Sequence, residues 1–310
     1  MTTDTTAPLV SVVVIFLDAA RFLEEAVASV LAQDHPNWEL LLVDDGSRDG
    51  SSAIARRYAE RHPGRVRHLE HAGHANRGKS VSRNLGIHAA RGEYVTFLDA
   101  DDVFLPQKLS HQLALLRAHS EAGMVYGRTE YWFSWDGGAR RGRDFVSRLG
   151  VPANAVFRPP LLVTRFLRDP GMVPCICGVL ARRRVVAQVG GFDETIQHMY
   201  EDQVFLAKLC LAAPVVTDAA CGERYRQHPD STSNVAITTG EYHPWRPNVA
   251  RQTFLEWLAR YLREGAIDDA ALWNALRREL WPYRHPFWGG VTSPAIYALR
   301  SLKTRWGRRA

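Results

Sequence analysis

The chain has 310 residues, 39 Lys and Arg against 33 Asp and Glu, 46% hydrophobic residues and 4 cysteines. This profile excludes collagen-like, mucin-like and wholly disordered chains, and the length accommodates one large α/β domain or a domain with an appendage. The net charge of +6 is unevenly placed: residues 1–244 hold 27 basic and 28 acidic side chains, whereas residues 245–310 hold 12 basic, 5 acidic and six of the nine tryptophans. The main part of the chain therefore lacks the basic stripe of a nucleic-acid-binding domain, and nucleic acid is not an expected partner. Cys175 and Cys177, one residue apart, fit neither a disulfide framework nor zinc spacing and read as buried free thiols. Pro8–Leu17 is too short to span a bilayer and lacks the flanks of a signal peptide, which predicts a cytoplasmic protein.

Val10–Leu17 is rich in β-branched residues, the pattern of a strand covered on both faces of a parallel sheet. Phe22, Ala26, Val27, Val30 and Leu31 recur at helical spacing, Asp34-His35-Pro36 stops them, and Glu39–Val43 is a second apolar run. The alternation continues with a helix over Ser51–Arg61, a strand over Val66–Leu69, a helix over Ser80–Ala90, a buried strand over Tyr94–Leu98, a helix over Pro106–His119 and a strand near Met124–Tyr126. This predicts an α/β fold with a doubly wound, mostly parallel sheet and helices on both faces. Residues 127–174, with Tyr131, Trp132, Phe133 and Trp135, read as irregular structure with room for one hairpin and as a candidate wall of an acceptor pocket. Order returns with a strand at Gly178–Ala181, a helix from Glu201-Asp202 to about Ala212 and a strand at Val215–Thr217. In the tail, Phe254, Leu255, Leu258 and Leu262 share one helical face, as do Leu272, Leu276 and Leu280, and Ser293-Pro294 opens a last helix with Ile296, Leu299, Leu302 and Trp306.

Ligands of open α/β sheets bind beyond the carboxyl ends of the strands. There the second apolar run ends in Asp44-Asp45-Gly46-Ser47 and the strand over Tyr94–Leu98 ends in Asp99-Ala100-Asp101-Asp102. Two acidic clusters on one rim repel each other unless a cation or hydrogen-bond donors compensate them, and the carboxylates of Asp99 and Asp101 are hard oxygen ligands suited to Mg²⁺ or Mn²⁺ against a diphosphate.

Taken in order, these residues resemble the inverting family-2 glycosyltransferases of GT-A fold over roughly residues 8–235. The resemblance is carried by Ser11-Val-Val-Val, Val43-Asp-Asp-Gly-Ser47, Asn76-x-Gly78 with Arg83-Asn84, Gly92-Glu-Tyr-Val-Thr-Phe-Leu-Asp-Ala-Asp-Asp102, Gly190-Gly-Phe-Asp-Glu194, Glu201-Asp202 and Tyr225-Arg-Gln-His228. It implies a GT-A nucleotide-sugar-binding and catalytic domain over 1–244, with a donor half at 1–125 and an acceptor half at 126–244, followed by a basic, Trp-rich helical extension over 245–310. It further implies metal-dependent, inverting transfer from a nucleotide-diphosphate sugar, UDP- or dTDP-linked, to a saccharide, lipid-linked or other hydroxyl acceptor. Asp44 or Asp45 would accept from the base, Asp45 being favoured; Lys79 would lie near the donor nucleotide and Asp99 would face ribose and metal. Asp101 would be the direct ligand of Mn²⁺ or Mg²⁺, and His228 a third ligand or a diphosphate contact. Asp202 would be the general base, with Glu201 as the rival carboxylate. Two departures stand out: Gln203-Val204-Phe205 follow the acidic pair where an aromatic and a second acid are usual, and Ile15, Leu17 and Asp18 stand where Pro, Tyr and Asn are frequent.

Two other readings compete. Gly73-His-Ala-Asn-Arg-Gly78-Lys79-Ser80 satisfies the P-loop pattern between a strand and a helix, although two strands precede the one it follows and a P-loop NTPase leaves Asp44-Asp45, Glu201-Asp202 and His228 without a role. A non-catalytic nucleotide or carbohydrate binder on the same fold is expected to have lost a metal or base carboxylate, and both are retained. For the tail, six basic and no acidic residues from Arg284 to Ala310, interleaved with Trp288, Tyr297 and Trp306, fit a peripheral contact with an anionic membrane surface; packing on the catalytic domain fits the same residues.

Overall fold

A computed structural model describes residues 7–138, 142–196, 199–243 and 247–285. Contacts divide the chain into two compact units, residues 1–159 with 174–227 and residues 160–173 with 228–310. Thus the charge changes at residue 244, whereas the packing changes at Gln227 and His228.

In chain order the elements are β1 (Val10–Phe16), α1 (Leu23–Leu31), β2 (Trp38–Asp44), α2 (Ser51–Arg61), β3 (Val66–Glu70), α3 (Lys79–Ala89), β4 (Tyr94–Asp99), β5 (Val103–Phe104), α4 (Lys108–Ala118), β6 (Met124–Trp132), β7 (Phe145–Val146) and β8 (Val156–Phe157). Then come α5 (Leu161–Arg168), β9 (Val179–Arg182), α6 (Arg183–Gln188), α7 (Glu201–Ala212), β10 (Val215–Arg226), α8 (Thr232–Thr238), α9 (Val249–Glu264) and α10 (Ala270–Arg284). The sheet of the first unit has the order β3-β2-β1-β4-β9-β6-β10-β5, with β7 on β6 and β8 on β10. Strands β3, β2, β1, β4, β6 and β10 run one way; β9 and β5 oppose them.

The period of two along β1 assigns the helices to faces. Val10, Val12, Val14 and Phe16 join a core with Leu23, Val27 and Val30 of α1 and Leu109, Leu113 and Leu116 of α4. Val13 points the other way, against α3, where a Cβ on Gly86 would lie 2.4 Å from its Cγ1. Phe97 of β4 shares that second face and packs edge-on against Phe192 and against Phe205 of α7. The register pairs Phe16 with Asp44 and Ile15 with Asp99, so the acidic ends of β2 and β4 flank the carboxyl end of β1.

Two strands exceed their expected lengths. Both β6 and β10 run on for six or more residues beyond their apolar starts; the remainder pair with one another as mixed polar and aromatic positions, mostly half-buried but with Thr129, Glu223 and Arg226 buried, and with bulges on β10 between Thr217 and Glu223. Within the stretch expected to be irregular, β7, β8 and α5 form, the last around buried Leu162, Val163, Phe166 and Leu167.

The second unit is helical. Ser231, Asn248 and Asp269 cap α8, α9 and α10 by accepting a backbone N–H three residues on. The expected faces are buried, and Arg251 of α9 pairs with Glu279 of α10 at 2.8 Å between them. The last helix expected from Ser293-Pro294, the tryptophans at 245, 288 and 306 and the basic run after Arg284 lie outside the described residues. Among the described residues no helix is long and apolar enough to cross a membrane.

Candidate functional site

The rim at the end of β2 is a dense turn. Asp44, fully buried, accepts the backbone N–H of Gly46 (3.1 Å) and Ser47 (2.8 Å) and the Ser52 hydroxyl. Burial alone raises its carboxyl; the His68 ring, the Ser52 hydroxyl and Ser47 more than offset this and hold it well below the ordinary carboxylate range. Asp45 accepts from the amides of Arg77 (2.7 Å) and Gly78 (3.0 Å). Gly46, at φ +88°, is pressed against the same loop: a Cβ there would sit 2.8 Å from the Asn76 nitrogen. Asp18, one of the departures noted above, takes φ +48° and accepts the amides of Arg48 (2.6 Å) and Asp49 (3.2 Å), a role that Asp and Asn share because both tolerate the left-handed region.

These contacts decide against the P-loop reading. The loop's amides at Arg77 and Gly78 turn inward to the Asp45 carboxylate, where a P-loop turns its amides to phosphate. Lys79, expected near the donor nucleotide, lies 3.3 Å from Glu201.

The second rim, at the end of β4, meets the start of α7 through Arg83. This side chain is 2% exposed; Nη2 is 2.7 Å from Asp99 Oδ1 and Nη1 is 3.1 Å from Glu201 Oε1. Burial works against the guanidinium charge, but Asp99 and Glu201 overcome it and hold its pKa above the ordinary value. Glu201 therefore faces two cations, Arg83 and Lys79. Asp202, partly buried beside it, receives the Gln203 amide at 2.7 Å. Burial, then the Glu201 charge, push its carboxyl up to about 6 against the pull of Arg83. Tyr200, immediately before the pair, is buried at φ +72°, a conformation rare for a bulky side chain and concentrated at functional sites. On the same helix as Arg83, Asn84 grips the Gly190–Glu194 loop by accepting the Phe192 amide (2.8 Å) and donating to the Glu194 carboxylate (2.8 Å), and Lys208 donates to the Gly191 carbonyl.

Asp102 is 1% exposed and accepts the Arg226 amide at 2.9 Å. Its carboxyl is held well above the ordinary range by burial, then by the charges of Asp101 and Asp99. An all-oxygen donor set under this negative pressure fits a hard divalent cation such as Mn²⁺ or Mg²⁺. Of the expected ligands, Asp99 and Asp101 belong to the first unit; His228, 4% exposed, belongs to the second, where its carbonyl accepts from Asn234 Nδ2 at 2.6 Å. Among the described residues, the three whose ligand atoms all lie within 4.8 Å of one another are Asp44, Glu70 and His74, and the expected set of Asp99, Asp101 and His228 forms no such group. Both ring nitrogens of His74 are engaged with acceptors, the Ser47 carbonyl (2.7 Å) and Glu70 (3.1 Å), which raise its pKa and compete with a metal for the ring.

Sequence reasoning assigned no role to Arg83, Asp102 or Arg226. A signal existed for Arg83, whose helical phase falls on the buried face with Ser80, Asn84 and Ile87; a buried arginine needs partners.

Comparison with known proteins agrees with this architecture. Residues 11–190 match the family model for glycosyl transferase family 2. A relative from Rickettsia prowazekii (strain Madrid E), the uncharacterized glycosyltransferase RP339, is 33% identical over 74% of this chain and 68% of its own length. The Bacillus subtilis (strain 168) protein named "Putative teichuronic acid biosynthesis glycosyltransferase TuaG" is 41% identical over 36% of this chain and 44% of its own, so the similarity spans less than half of that relative. Among solved structures, Staphylococcus aureus TarS 1-349 in complex with UDP superposes with a TM-score of 0.56 at 21% identity, covering 82% of this chain and 72% of that one. The mannosyltransferase PcManGT from Pyrobaculum calidifontis, in complex with GDP-Man and Mn²⁺, gives 0.54 at 19% identity over 98% and 89%. With its GT-A-like sheet and the acidic motifs in their expected order, the chain belongs to glycosyl transferase family 2.

Proposed function

We propose that this protein transfers a sugar from a nucleotide-diphosphate donor to an acceptor hydroxyl with inversion, using Asp202 as general base and a divalent cation at Asp101 and Asp99. The observation that carries the reading is Arg83, which joins Asp99 at the end of β4 to Glu201 at the start of α7 and so brings Asp202 beside the acidic motif. With Glu201 committed to Arg83 and Lys79, Asp202 is the carboxylate free to take a proton, and a pKa near 6 leaves it ionised at neutral pH yet basic enough to accept one. Asp202 removes the acceptor proton as the new bond forms on the face of the sugar opposite the departing nucleotide, which inverts the anomeric carbon. Asp45 and Asp99 orient base and ribose. When bound, Mn²⁺ or Mg²⁺ supplies positive charge to the leaving diphosphate.

The nucleotides named with the structural neighbours, UDP and GDP-Man, support a panel of UDP-, dTDP- and GDP-sugars, and the TuaG name makes a polysaccharide chain the acceptor to try first. Thermal shift with each donor and Mn²⁺ ranks the candidates, since a bound ligand stabilises the fold according to its affinity; nucleotide release from the best binder then tests transfer. Tight binding without release from any donor would leave a binding protein in place of an enzyme. The charge of residues 245–310 supports contact of the tail with an anionic membrane surface. Co-sedimentation with anionic vesicles, before and after deletion of residues 285–310, tests it, and equal pelleting of both forms removes that role.

A further inference from the structure

Arg226, the last residue of β10, is 2% exposed and has more partners than an ion pair requires. Its Nε donates to the Asp101 carbonyl at 2.6 Å, its Nη2 donates to Glu25 of α1 at 2.6 Å, and its backbone N–H donates to Asp102 Oδ1 at 2.9 Å. Three rings enclose the guanidinium, Trp132 at 4.5 Å, Phe22 at 4.9 Å and Trp135 at 5.1 Å. The Asp99–Asp102 turn is closed on one side by its own Asp102 N–H to Asp99 carbonyl bond at 3.0 Å. On the other it is gripped at two consecutive residues by Arg226.

We infer that Arg226 is a positioning residue that fixes the backbone carrying Asp101 and thereby sets the affinity of this turn for a divalent cation. The inference rests on the proposed role of Asp101 as a metal ligand. The planar fork is what the geometry uses: one nitrogen reaches the Asp101 carbonyl while another reaches Glu25, and the rings hold the plane in one orientation. A lysine keeps the charge but places it at a single point, so it cannot span both acceptors from the same backbone position. Arg226 acts through the peptide of Asp101 and is therefore no catalytic group itself. Residues that orient a metal ligand typically contribute about ten- to a hundredfold in metal affinity.

The test is Mn²⁺ binding in the presence of UDP, read by electron paramagnetic resonance on the full chain without turnover. Arg226→Lys is expected to raise the half-saturating Mn²⁺ concentration about tenfold or more, and Glu25→Gln, which removes the charge of a half-exposed anchor of the fork, to raise it by a smaller factor. Mn²⁺ half-saturation within about twofold of wild type in a folded Arg226→Lys overturns the proposal. If that variant does not fold, Glu25→Gln decides, and unchanged Mn²⁺ binding overturns it equally. Wild-type protein that binds no Mn²⁺ with UDP, and none with dTDP or GDP in its place, overturns the metal role of Asp101 and this inference with it, whereas wild-type binding that both variants retain overturns the inference alone.

Discussion

Sugar transfer should slow about tenfold between pH 7 and pH 5, because the base must be ionised and its pKa is near 6. A single carboxylate of that pKa is about nine-tenths ionised at pH 7 and about one-tenth at pH 5. An ordinary aspartate stays above about nine-tenths across the whole interval. The elevation arises from burial and from the Glu201 charge, opposed by Arg83. Glu201→Gln therefore removes a raising influence and frees Arg83 and Lys79 to act on Asp202, so the acid limb of the profile moves to lower pH. The assay is the initial rate of nucleotide release from pH 4.5 to 8 at saturating donor, acceptor and metal. Because the two carboxylates interact, the limb belongs to the Glu201–Asp202 pair as a unit. A profile flat between pH 5 and 7.5, or a limb that Glu201→Gln leaves in place, refutes the reasoning.

The same raised pKa makes ionised Asp202 a cost to the fold: the effect is absent below the ordinary pKa, grows as pH rises through about 6, and reaches up to about 3 kcal/mol at pH 7. Asp202→Asn should therefore raise the urea midpoint at pH 7 but not at pH 4, and equal midpoints of the two proteins at both pH values contradict it. Arg83→Met takes the partner from Asp99 and leaves Glu201 with Lys79 alone, and should lower stability by about 3–5 kcal/mol in urea unfolding; a loss below about 1 kcal/mol means the bridge is not formed. Gly46→Ala meets the backbone of residues 74–76 at a positive φ and should lose about 1–3 kcal/mol, seen in the same assay. An unchanged midpoint for Gly46→Ala would show that the Ala72–Gly78 loop does not close over the turn.

Much of the fold was legible because β1, β2 and β4 are predominantly apolar and the helices between them carry regular buried faces. The second halves of β6 and β10 were not, since they mix polar, charged and aromatic residues without an apolar alternation, and their strand character comes from pairing across the sheet. Asp44, Asp45, Asp99 and Asp101 stood out as candidates because strand ends are where such sheets bind ligands. The arginines were missed for a related reason. Arg83 and Arg226 act on residues 118 and 201 positions away, Glu201 and Glu25, and no local period signals a contact of that range. The P-loop pattern shows the opposite error, a local match whose amides are already committed to Asp45.

The most direct test of the account compares wild type with Asp202→Asn, measuring nucleotide release from UDP-, dTDP- and GDP-sugars with Mn²⁺ and, in parallel, binding of the same nucleotides. The account predicts that the variant binds nucleotide as wild type does and releases none from the sugar donor. Release at the wild-type rate from Asp202→Asn contradicts it.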